Sequence, residues 1–554
     1  MISPVIGLGP ILLAAAAFAL PLLSLFIKSK RFYDAYAIVF ASIALAISTY
    51  ITCIVMDISS LVTKGSVDIR TIVLYPFGGW PPPLGIVYEI DAFGAILGLL
   101  TSVVMLLIVL YSVWYTDEFK DGGYVWYYTL LLGLEAGMLG CIYTGDAFNL
   151  FVMLEVMSIA AYGLVAFYRS RGEAVEAAIK YGLIGATATT IYFLALVFVY
   201  SAYGTLTMAD IAMKSRGLIP STVISGGIFG NILAATAVAL ALSIWVFMFK
   251  SAIFPLHFWL PDAHPEAPTP VSAALSGLVV NVGIYAIARF VYTLFGYGSV
   301  AELAHLRDAI LLSLMVAGFA SAFVGAAMMA VQRDIKRLLA YSTVSHMGFI
   351  AIGISIGLSS TPKEAALLGM TAAILHIINH SLGKALLFMS TGVMIRATGS
   401  RDIDALRGLG RYLSVAGCST AIGTLHLLGL PPFAGFYSKL LLFLAFLAAG
   451  CPIGAALIVA AAALAIPGYA KILLTVFSAK EKENTAVRYR ESGVASAALI
   501  MLVIAIVVLS IAVPLGLVDM FRKVAYNLMS FDGVLRYIDA FLATYRELFP
   551  FGAR

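Results

Sequence analysis

The sequence predicts an all-α polytopic membrane protein with about fourteen transmembrane helices. Of its 554 residues, 62% are hydrophobic and only 11% are charged, and the mean hydropathy is +1.00. A soluble protein of this size would carry about 25% charged residues and about 45–50% apolar ones. The composition therefore excludes a cytosolic multidomain enzyme, a secreted disulfide scaffold and a nucleic-acid-binding chain.

Fourteen apolar stretches are long enough to cross a bilayer, which takes about 20 mostly apolar residues. The first stretch lacks a preceding basic region and a small-residue cleavage pattern, so we interpret it as a retained helix and not as a signal peptide. The predicted spans are 7–27, 35–56, 92–115, 125–144, 147–168, 178–203, 229–260, 271–295, 309–331, 338–357, 365–395, 412–447, 453–477 and 494–518.

The distribution of lysine and arginine predicts the orientation of these spans. Seventeen basic residues lie in the odd-numbered connections and six in the even-numbered ones. Because basic residues concentrate in cytoplasmic loops, the odd connections are predicted to be cytoplasmic and both termini to lie on the outer face of a cell membrane. The segment from Asp519 to Arg554 interleaves leucines and aromatics with charges, and it is predicted to form an interfacial amphipathic helix.

Two of the stretches are longer than one span and contain helix breakers. Stretch 229–260 contains Pro255, and stretch 412–447 contains Gly429 followed by Pro431 and Pro432. Proline removes a backbone donor and clashes with the preceding turn, so each stretch is predicted to be a discontinuous helix of the kind that transporters use. A simple proline kink is the alternative.

Polar residues recur along the chain at an offset of about 190 residues, which indicates two related five-helix units. We therefore divide the chain into an N-terminal region with an outer loop (1–124), a first five-helix repeat (125–295), a second repeat (309–477) and a last helix with a short tail (478–554). The recurring pairs are Glu155 with His346 (191 residues apart), Lys250 with Lys439 (189) and Asn281 with Lys471 (190).

Eight charged residues lie within or at the edge of apolar helices. Near the bilayer centre each charge costs about 2.5–3.5 kcal/mol unless it pairs or reaches water. The set therefore predicts an internal hydrated polar path. It comprises Lys180, Lys250, Arg289, Lys384, Lys439, Lys471, Glu135 and Glu155.

The chemistry that fits such a path is proton transfer. A buried lysine changes its proton affinity readily, and a glutamate that approaches and leaves it, as Glu155 would with Lys250, makes a switch. His346, His376 and His380 can relay protons near neutral pH, and His376, His380 and Lys384 share one helical face at successive spacings of four. The pair of histidines could instead ligate a metal ion, but no carboxylate or thiol lies nearby in the sequence.

Redox and nucleotide chemistry are predicted to belong to partners and not to this chain. The four cysteines lie far apart without a CxxC spacing, and no phosphate-binding loop motif occurs. We therefore expect no metal, no cofactor and no catalytic redox site. A single glutamine and few asparagines suggest a thermophilic source.

Three segments carry a resemblance to a known family: 247–272, which includes the run Phe254-Pro255-Leu256-His257, 332–348 and 380–388. The family comprises the antiporter-like membrane subunits shared by respiratory complex I, Mrp-type sodium/proton antiporters and energy-converting membrane-bound hydrogenases. The similarity spans at least residues 90–480. It implies fourteen helices with two inverted five-helix repeats and broken helices 7 and 12.

The resemblance also implies roles for individual residues. The sequence departs from the family pattern at Asn281, where many relatives carry a lysine that an asparagine cannot replace as a proton carrier. Lys336, within 332–348, is a further candidate for proton transfer or its support, as are Glu135, His376, His380, Asn281 and Lys471. By resemblance, Glu155 is the fifth-helix glutamate, Lys250 the seventh-helix lysine, His346 the tenth-helix histidine, Lys384 the eleventh-helix lysine and Lys439 the twelfth-helix lysine.

These observations predict a proton-translocating subunit, with or without coupling to sodium antiport, of a multisubunit membrane complex. The complex would be a hydrogenase-like or complex I-like oxidoreductase or an Mrp-type antiporter, with other antiporter-like and small membrane subunits and lipid as partners. The short segment after the last span favours the types that resemble the D-type subunit of Mrp antiporters or its hydrogenase counterparts. The alternatives are a stand-alone secondary transporter for a small solute and a membrane scaffold that does not pump.

Overall fold

The computed structural model describes residues 2–57, 67–218, 231–478 and 490–548, and it confirms the predicted all-α membrane architecture. Within these ranges, thirteen helices are long and apolar enough to cross a membrane. We number the crossings in chain order and reserve number 12 for a broken helix. Crossings 1–11 are Val5–Leu23, Lys30–Val55, Ala92–Glu118, Gly123–Tyr143, Ala147–Tyr168, Gly172–Tyr203, Ile232–Lys250, Thr269–Leu294, Ala301–Val331, Ile335–Ser355 and Lys363–Thr398; crossings 13 and 14 are Pro452–Phe477 and Gly493–Met529.

Crossing 12 consists of two shorter apolar helices, Ser414–Leu428 and Ala434–Ala448. The first ends at Gly429, whose φ of 82° suits glycine and few other residues. Two prolines follow, and they cannot continue a helix because they lack a backbone N–H. The predicted break is therefore confirmed, and the two half-helices together correspond to the predicted span 412–447, which brings the number of crossings in the described ranges to fourteen.

Crossing 7 also breaks, but earlier than the sequence suggests. Its helix ends at Lys250, five residues before Pro255, and a short helix Leu260–Glu266 follows after a stretch of turns. The proline ring at position 255 clashes with the carbonyl four residues back and disfavours helical backbone at the residue before it, so the helix must end upstream. The consequence is that Lys250 lies at a helix C-terminus, where the helix dipole stabilises a positive charge.

The centre of the bundle is formed by crossings 8, 10 and 11. The apolar stretches of crossings 8 and 10 are wholly buried, and that of crossing 11 nearly so. Crossings 9 and 10 approach very closely, since a Cβ at Gly325 would lie 2.4 Å from the backbone nitrogen of Ser345. Two π-helical segments, Leu275–Val279 and Arg289–Leu294, interrupt crossing 8, and such segments often occur at functional positions.

One end of the bundle, which we call the tail face, carries two short antiparallel strand pairs and the C-terminal tail. The strands are Met56–Asp57 with Asp68–Ile69 and Val73–Pro76 with Val87–Ile90. Both described ends of the chain reach this face: the Ser3 N–H donates to the Leu74 oxygen at 3.0 Å, and Lys523 Nζ donates to the Val67 oxygen at 2.8 Å. The two ends therefore lie on the same side of the bundle.

The tail forms two amphipathic helices where the sequence predicted one. Val518–Met529 continues from crossing 14 after a kink at Gly516, and Phe531–Leu548 follows after Ser530, whose backbone is extended. Both helices bury an apolar side against the bundle. The first helix ends before Ser530, whose extended backbone redirects the chain. The second helix can then pack beside the first.

At the opposite end, which we call the basic face, the odd-numbered connections meet. Arg396 Nη1 donates to the Trp114 oxygen at 2.8 Å, and Arg401 Nε lies 3.2 Å from Asp334. The third, ninth and eleventh connections are thus joined at one surface. Four of the basic residues in the orientation argument, Lys64, Lys480, Lys482 and Arg488, lie outside the described residues, and the division into two five-helix repeats stays a prediction.

The tail face contains a buried carboxyl group in the strand Val87–Ile90. Glu89 is 0% exposed, and neither of its oxygens has a hydrogen-bond partner among the described residues. Burial raises the pKa of Glu89 well above its usual value, an effect that the nearby Arg289 only partly opposes. Tyr537, on the second tail helix, lies against this group, so we expect the protonation of Glu89 to affect how the tail docks.

We expect Glu89→Gln to tighten docking of the tail at pH 8 and to change it little at pH 4. Because the pKa of Glu89 is raised in the folded state, its contribution to stability is fully present below the pKa of an exposed glutamate and is lost as the pH rises towards the folded-state value. Each pKa unit of difference corresponds to about 1.4 kcal/mol. Hydrogen exchange in residues 531–548 measures docking, and equal protection of variant and wild type at pH 8 would contradict this expectation.

Candidate functional site

Three histidines predicted from the sequence meet in the buried centre of the bundle. His346 Nδ1 lies 2.9 Å from His376 Nε2, within hydrogen-bonding distance, and the ring centroids of His346 and His380 are 5.6 Å apart. All three side chains are at most 3% exposed. The structure therefore brings the imidazoles of crossings 10 and 11 into one cluster, which we call the histidine cluster.

Hydroxyl groups bind both ends of this histidine pair. Tyr469 Oη lies 2.7 Å from His346 Nε2, and Ser438 Oγ lies 2.8 Å from His376 Nδ1. Asn379 Nδ2 also donates to Ser438, at 3.3 Å, and the Ser438 hydroxyl itself donates to the Gly435 oxygen. The result is a continuous chain of hydrogen bonds from crossing 13 through crossings 10 and 11 to crossing 12.

Lys439 lies one residue beyond Ser438 in the second half of the broken crossing 12. Its Nζ donates to the Leu427 and Leu428 oxygens at 3.1 and 2.8 Å, which are the last carbonyls of the first half-helix. Its side chain passes over Gly429, where a Cβ would lie 3.1 Å from Lys439 Cδ. The break thus leaves carbonyl groups without helical partners, and these carbonyls stabilise the Lys439 ammonium group beside the histidine cluster. Lys439 is 8% exposed.

Lys384 lies on crossing 11, four residues after His380, and is 0% exposed. Its Nζ donates to the Leu339 oxygen at 2.9 Å and also to the Ser342 hydroxyl. Its hydrogen bonds are to neutral groups, and no described carboxylate lies within 4 Å of it. A buried ammonium group with neutral partners can lose its proton at a far smaller cost than one held in an ion pair.

Asn281 connects crossing 8 to the same region. Its Nδ2 donates to the Gly277 oxygen at 2.7 Å and to Ser381 Oγ at 2.9 Å, whereas its Oδ1 has no partner among the described residues. Ser381 is the neighbour of His380 in the chain. The amide group therefore binds the helix that carries His376 and His380, and its Oδ1 is a buried acceptor without a partner among the described residues.

Lys250 occupies a second site, at the end of crossing 7. It is 1% exposed, and its Nζ donates to Ser158 Oγ on crossing 5 at 2.7 Å. Glu155 lies one turn before Ser158, but it is only half-buried and forms no ion pair with Lys250 within 4 Å. In the structure the Lys250 ammonium group therefore binds a serine and the Glu155 carboxylate lies apart from it, and the switch stays a prediction.

Two other predicted residues lie away from these sites. Glu135 on crossing 4 is 0% exposed, and neither of its oxygens has a hydrogen-bond partner within the described ranges. Lys471 is half-buried on crossing 13, where its Nζ donates to the Gln332 oxygen at 2.5 Å. Lys471 thus binds the carbonyl at the end of crossing 9 and does not join the central cluster.

Lys336 lies at the inner end of a cavity on the basic face. The cavity has a volume of about 540 Å³, and its lining includes Arg171, Arg396 and Arg401. Lys336 is 3% exposed, and its Nζ donates to the Ala267 oxygen at 2.7 Å and to Ser272 Oγ at 3.2 Å. The cavity thus leads from the basic face to an ammonium group in the interior.

Two of the charges that suggested a polar path have other roles. Lys180 is exposed near the start of crossing 6 and pairs with Glu176 at 2.6 Å. Arg289 is buried, but both of its terminal nitrogens bind the carboxylate of Asp91, one of them at 2.6 Å, and its Nε donates to the Tyr285 hydroxyl at 2.9 Å. The first is a surface charge and the second is a structural ion pair, so neither supports a path.

Several residues at these sites were not identified from the sequence. They are hydroxyl and imidazole side chains: the partners of the buried lysines and histidines, and one histidine within the motif at 247–272. Family-like segments are a signal for His264, Ser342 and Ser381, whereas nothing in the sequence distinguishes the other three hydroxyls. The residues are Ser158, Ser342, Ser381, Ser438, Tyr469 and His264.

The arrangement can hold and pass protons. Imidazole and ammonium groups lie within the membrane-spanning region and are bound by hydroxyls and carbonyls. No group of three or more His, Cys, Asp or Glu residues within the described ranges is placed to hold a metal ion. Both ring nitrogens of His376 are taken up by His346 and Ser438.

These features define an ion-translocating membrane protein. The described part of the chain forms a bundle of fourteen crossings, two of them broken beside buried lysines, with titratable groups at its centre.

The chain belongs to the family described as NADH:quinone oxidoreductase/Mrp antiporter, transmembrane, whose model matches residues 144–465. The chain is 34% identical to the N-type subunit of the NADH-quinone oxidoreductase of Desulforudis audaxviator over 390 residues, which are 70% of this chain and 72% of that protein. It is 32% identical to the D-type subunit of the Na(+)/H(+) antiporter of Alkalihalophilus pseudofirmus over 407 residues, which are 74% of each. The predicted resemblance is confirmed at the level of the family.

Solved structures agree with this assignment. A chain of an archaeal membrane-bound sulfane sulfur reductase superposes with a TM-score of 0.81 at 27% identity and covers 97% of this chain and 100% of that one. A chain of the Mrp complex from Dietzia sp. DQ12-45-1b superposes with a TM-score of 0.79 at 24% identity, with 98% and 100% covered, and shows the shared fold. The protein is therefore an antiporter-like subunit that works with partner membrane subunits.

Proposed function

We propose that this chain translocates protons as one subunit of an ion-pumping membrane complex, while its partners supply redox energy or an opposing sodium flux. The observation that carries the proposal is the hydrogen-bonded pair of His346 and His376, 2.9 Å apart, in the buried centre between Lys384 and Lys439. Burial of the three imidazoles of the histidine cluster near two lysines costs free energy. Apolar side chains would fill the same space at a lower cost if these residues served only for packing.

The proposed route has two parts. In the second half of the chain, protons pass between Lys384, the histidine cluster and Lys439 through hydrogen bonds and water. In the first half, Lys250 gains and releases a proton as Glu155 approaches and withdraws. Asn281 lies between the two parts and orients water through its free oxygen without carrying the proton itself. Glu135, His380 and Lys336 support this route as further titratable groups.

The ion that crosses the centre of this chain is the proton and not sodium. The buried array contains three lysines and three histidines, and no described carboxylate lies within 4 Å of Lys250, Lys384 or Lys439. Na⁺ is coordinated by oxygen atoms, and ammonium groups repel it. In this proposal any sodium that the complex moves passes through another subunit.

The basic face is cytoplasmic in this proposal, and both chain ends lie on the outer side of the cell membrane, because lysine and arginine concentrate at the odd-numbered connections. The chain itself holds no redox cofactor. Its cysteines are spread over the sequence without a ligand spacing. Electron transfer, where the complex performs it, occurs in partner subunits, and lipid surrounds the crossings.

Lys250→Met in the assembled complex tests the proposal. Methionine fills a similar volume but has no titratable group. We therefore expect energised proton uptake into proteoliposomes to fall by about a hundredfold or more, which is the usual effect of removing a positioned proton-transfer residue. Lys180→Met is the matched control, because Lys180 lies in the neighbouring crossing but is exposed. Its uptake should equal that of the wild type.

Three results would separate the proposal from its alternatives. Wild-type uptake by Lys250→Met, with the complex intact, would contradict proton transfer through this chain and favour a scaffold that does not pump. Solute uptake by the purified chain without partners would favour a stand-alone transporter. Loss of uptake in Lys250→Met, with assembly intact on a native gel, supports the pump.

A further inference from the structure

The short helix Leu260–Glu266 carries a histidine that the proposed route leaves unused. His264 is 0% exposed, and neither of its ring nitrogens has a hydrogen-bond partner in the part of the chain that the structure describes. Buried polar side chains are nearly always hydrogen-bonded, so an imidazole with two free nitrogens needs an explanation. Its ring packs instead against Phe388, with 5.3 Å between the ring centroids.

His264 lies between two buried lysines. On one side, Ser272 Oγ donates to the backbone oxygen of His264 at 2.8 Å and accepts from Lys336 Nζ at 3.2 Å, so this hydroxyl ties the backbone at His264 to the Lys336 ammonium group. On the other side, Phe388 lies one helical turn after Lys384 on crossing 11, which places the imidazole against the face that carries this lysine. The titratable groups with electrostatic contact to the ring are Lys384, Lys336 and His380.

Lys336 itself lies at the inner end of the basic-face cavity. His264 therefore occupies the position between a group that the basic face can reach and the start of the buried array. The two lysines on either side disfavour a third positive charge at close range, so protons would occupy the three groups one at a time.

We propose that His264 is the proton-transfer residue that joins Lys336, at the basic-face cavity, to Lys384 in the array. A proton leaves the Lys336 ammonium and passes through a bridging water molecule to the unprotonated ring nitrogen of His264, while the N–H bond at the other ring nitrogen breaks and its proton passes through a second water molecule to the Lys384 amine. A proton from the cavity then returns Lys336 to its ammonium form. Rotation of the His264 ring restores the starting arrangement. This proposal rests on the proposed function and adds to it the residue through which protons enter the buried array from the basic face.

His264→Phe in the assembled complex tests this inference. Phenylalanine keeps the ring and its contact with Phe388 but cannot carry a proton, so we expect energised proton uptake to fall by about tenfold or more. His305→Phe is the matched control, because His305 is exposed on crossing 9 and should leave uptake unchanged. His264→Gln, which keeps a polar side chain, should lose uptake to the same extent and serves where the phenylalanine variant fails to assemble.

A double variant distinguishes transfer from packing. If His264 and Lys336 act in series, uptake by His264→Gln with Lys336→Met should be no lower than uptake by the more defective single variant, whereas independent structural damage would multiply the two losses. Wild-type uptake in His264→Gln while Lys250→Met has lost uptake overturns this inference and leaves the proposed function standing. Wild-type uptake in both overturns the proposed function. Multiplied losses in the double variant also overturn the inference.

Discussion

Replacing Lys384 by methionine is expected to reduce proton translocation by about a hundredfold or more, the range for loss of a positioned proton-transfer group. Lys384 is wholly buried, and its partners, the Leu339 carbonyl and the Ser342 hydroxyl, are neutral groups that cannot hold an excess proton in its place. Methionine fills the same space, so packing should survive. Proton uptake by proteoliposomes that contain the assembled complex measures the effect.

The matched control for this variant is Lys363→Met. Lys363 begins the same helix but is exposed at the tail face, so its loss removes an equal charge without reaching the interior. Normal uptake by the Lys384 variant, in a complex that assembles to the wild-type level, would show that protons bypass crossing 11. Lower uptake by the Lys363 variant would point instead to a general sensitivity of the complex to loss of positive charge.

The second large effect concerns stability. Arg289→Met should destabilise the protein by about 3–5 kcal/mol, the usual cost of removing one partner of a buried ion pair. The carboxylate of Asp91 would remain buried without its countercharge, and the same carboxylate accepts from the Gly94 N–H at 2.9 Å at the start of crossing 3. Thermal unfolding of the purified chain in detergent measures the loss as a lower apparent unfolding temperature.

Two further variants make this test specific. Asp91→Leu combined with Arg289→Met should recover part of the lost stability, because apolar pairs often replace buried ion pairs at little cost. Arg70→Met removes a half-exposed pairing with Asp57 and should cost only about 0–1 kcal/mol. If Arg289→Met unfolds at the same temperature as Arg70→Met, the buried pair does not stabilise the fold as we infer.

The membrane architecture follows from the sequence because its causes are local. A crossing needs a run of apolar residues, and a break needs a proline or a glycine, and both are visible in the sequence. Pro431 and Pro432 locate the second break correctly. The first break lies upstream of Pro255 because a proline acts on the residues before it, and the exact end of a helix depends on which carbonyls find other partners.

The candidate site was predictable in its charged members and not in its neutral ones. A lysine or histidine in an apolar run is rare enough to be noticed, and His346, His376 and His380 do meet in the interior. Tyr469 and Ser438 are 123 and 62 residues away from the histidines that they bind. Hydroxyl residues are common in membrane helices, so no local pattern could select these two.

Sequence reasoning also could not tell a paired charge from a free one. Arg289 and Lys384 look alike in the sequence, since each is a single base in an apolar run. Asp91, the partner that neutralises Arg289, lies 198 residues away. Lys180 shows a related error, because the predicted span 178–203 begins nearly two turns after the start of the helix Gly172–Tyr203, on which Lys180 is a surface residue.

When both rings of the histidine pair are neutral, one polarity of the hydrogen-bond chain satisfies all of its members. Because the Ser438 hydroxyl donates to the Gly435 oxygen, it accepts from His376, which in turn accepts from His346, which accepts from the Tyr469 hydroxyl. A neutral imidazole has one donor and one acceptor, so one passage inverts every bond in the row. A second passage in the same direction therefore requires both rings to flip and both hydroxyl groups to rotate first, so the row passes one proton per reorientation.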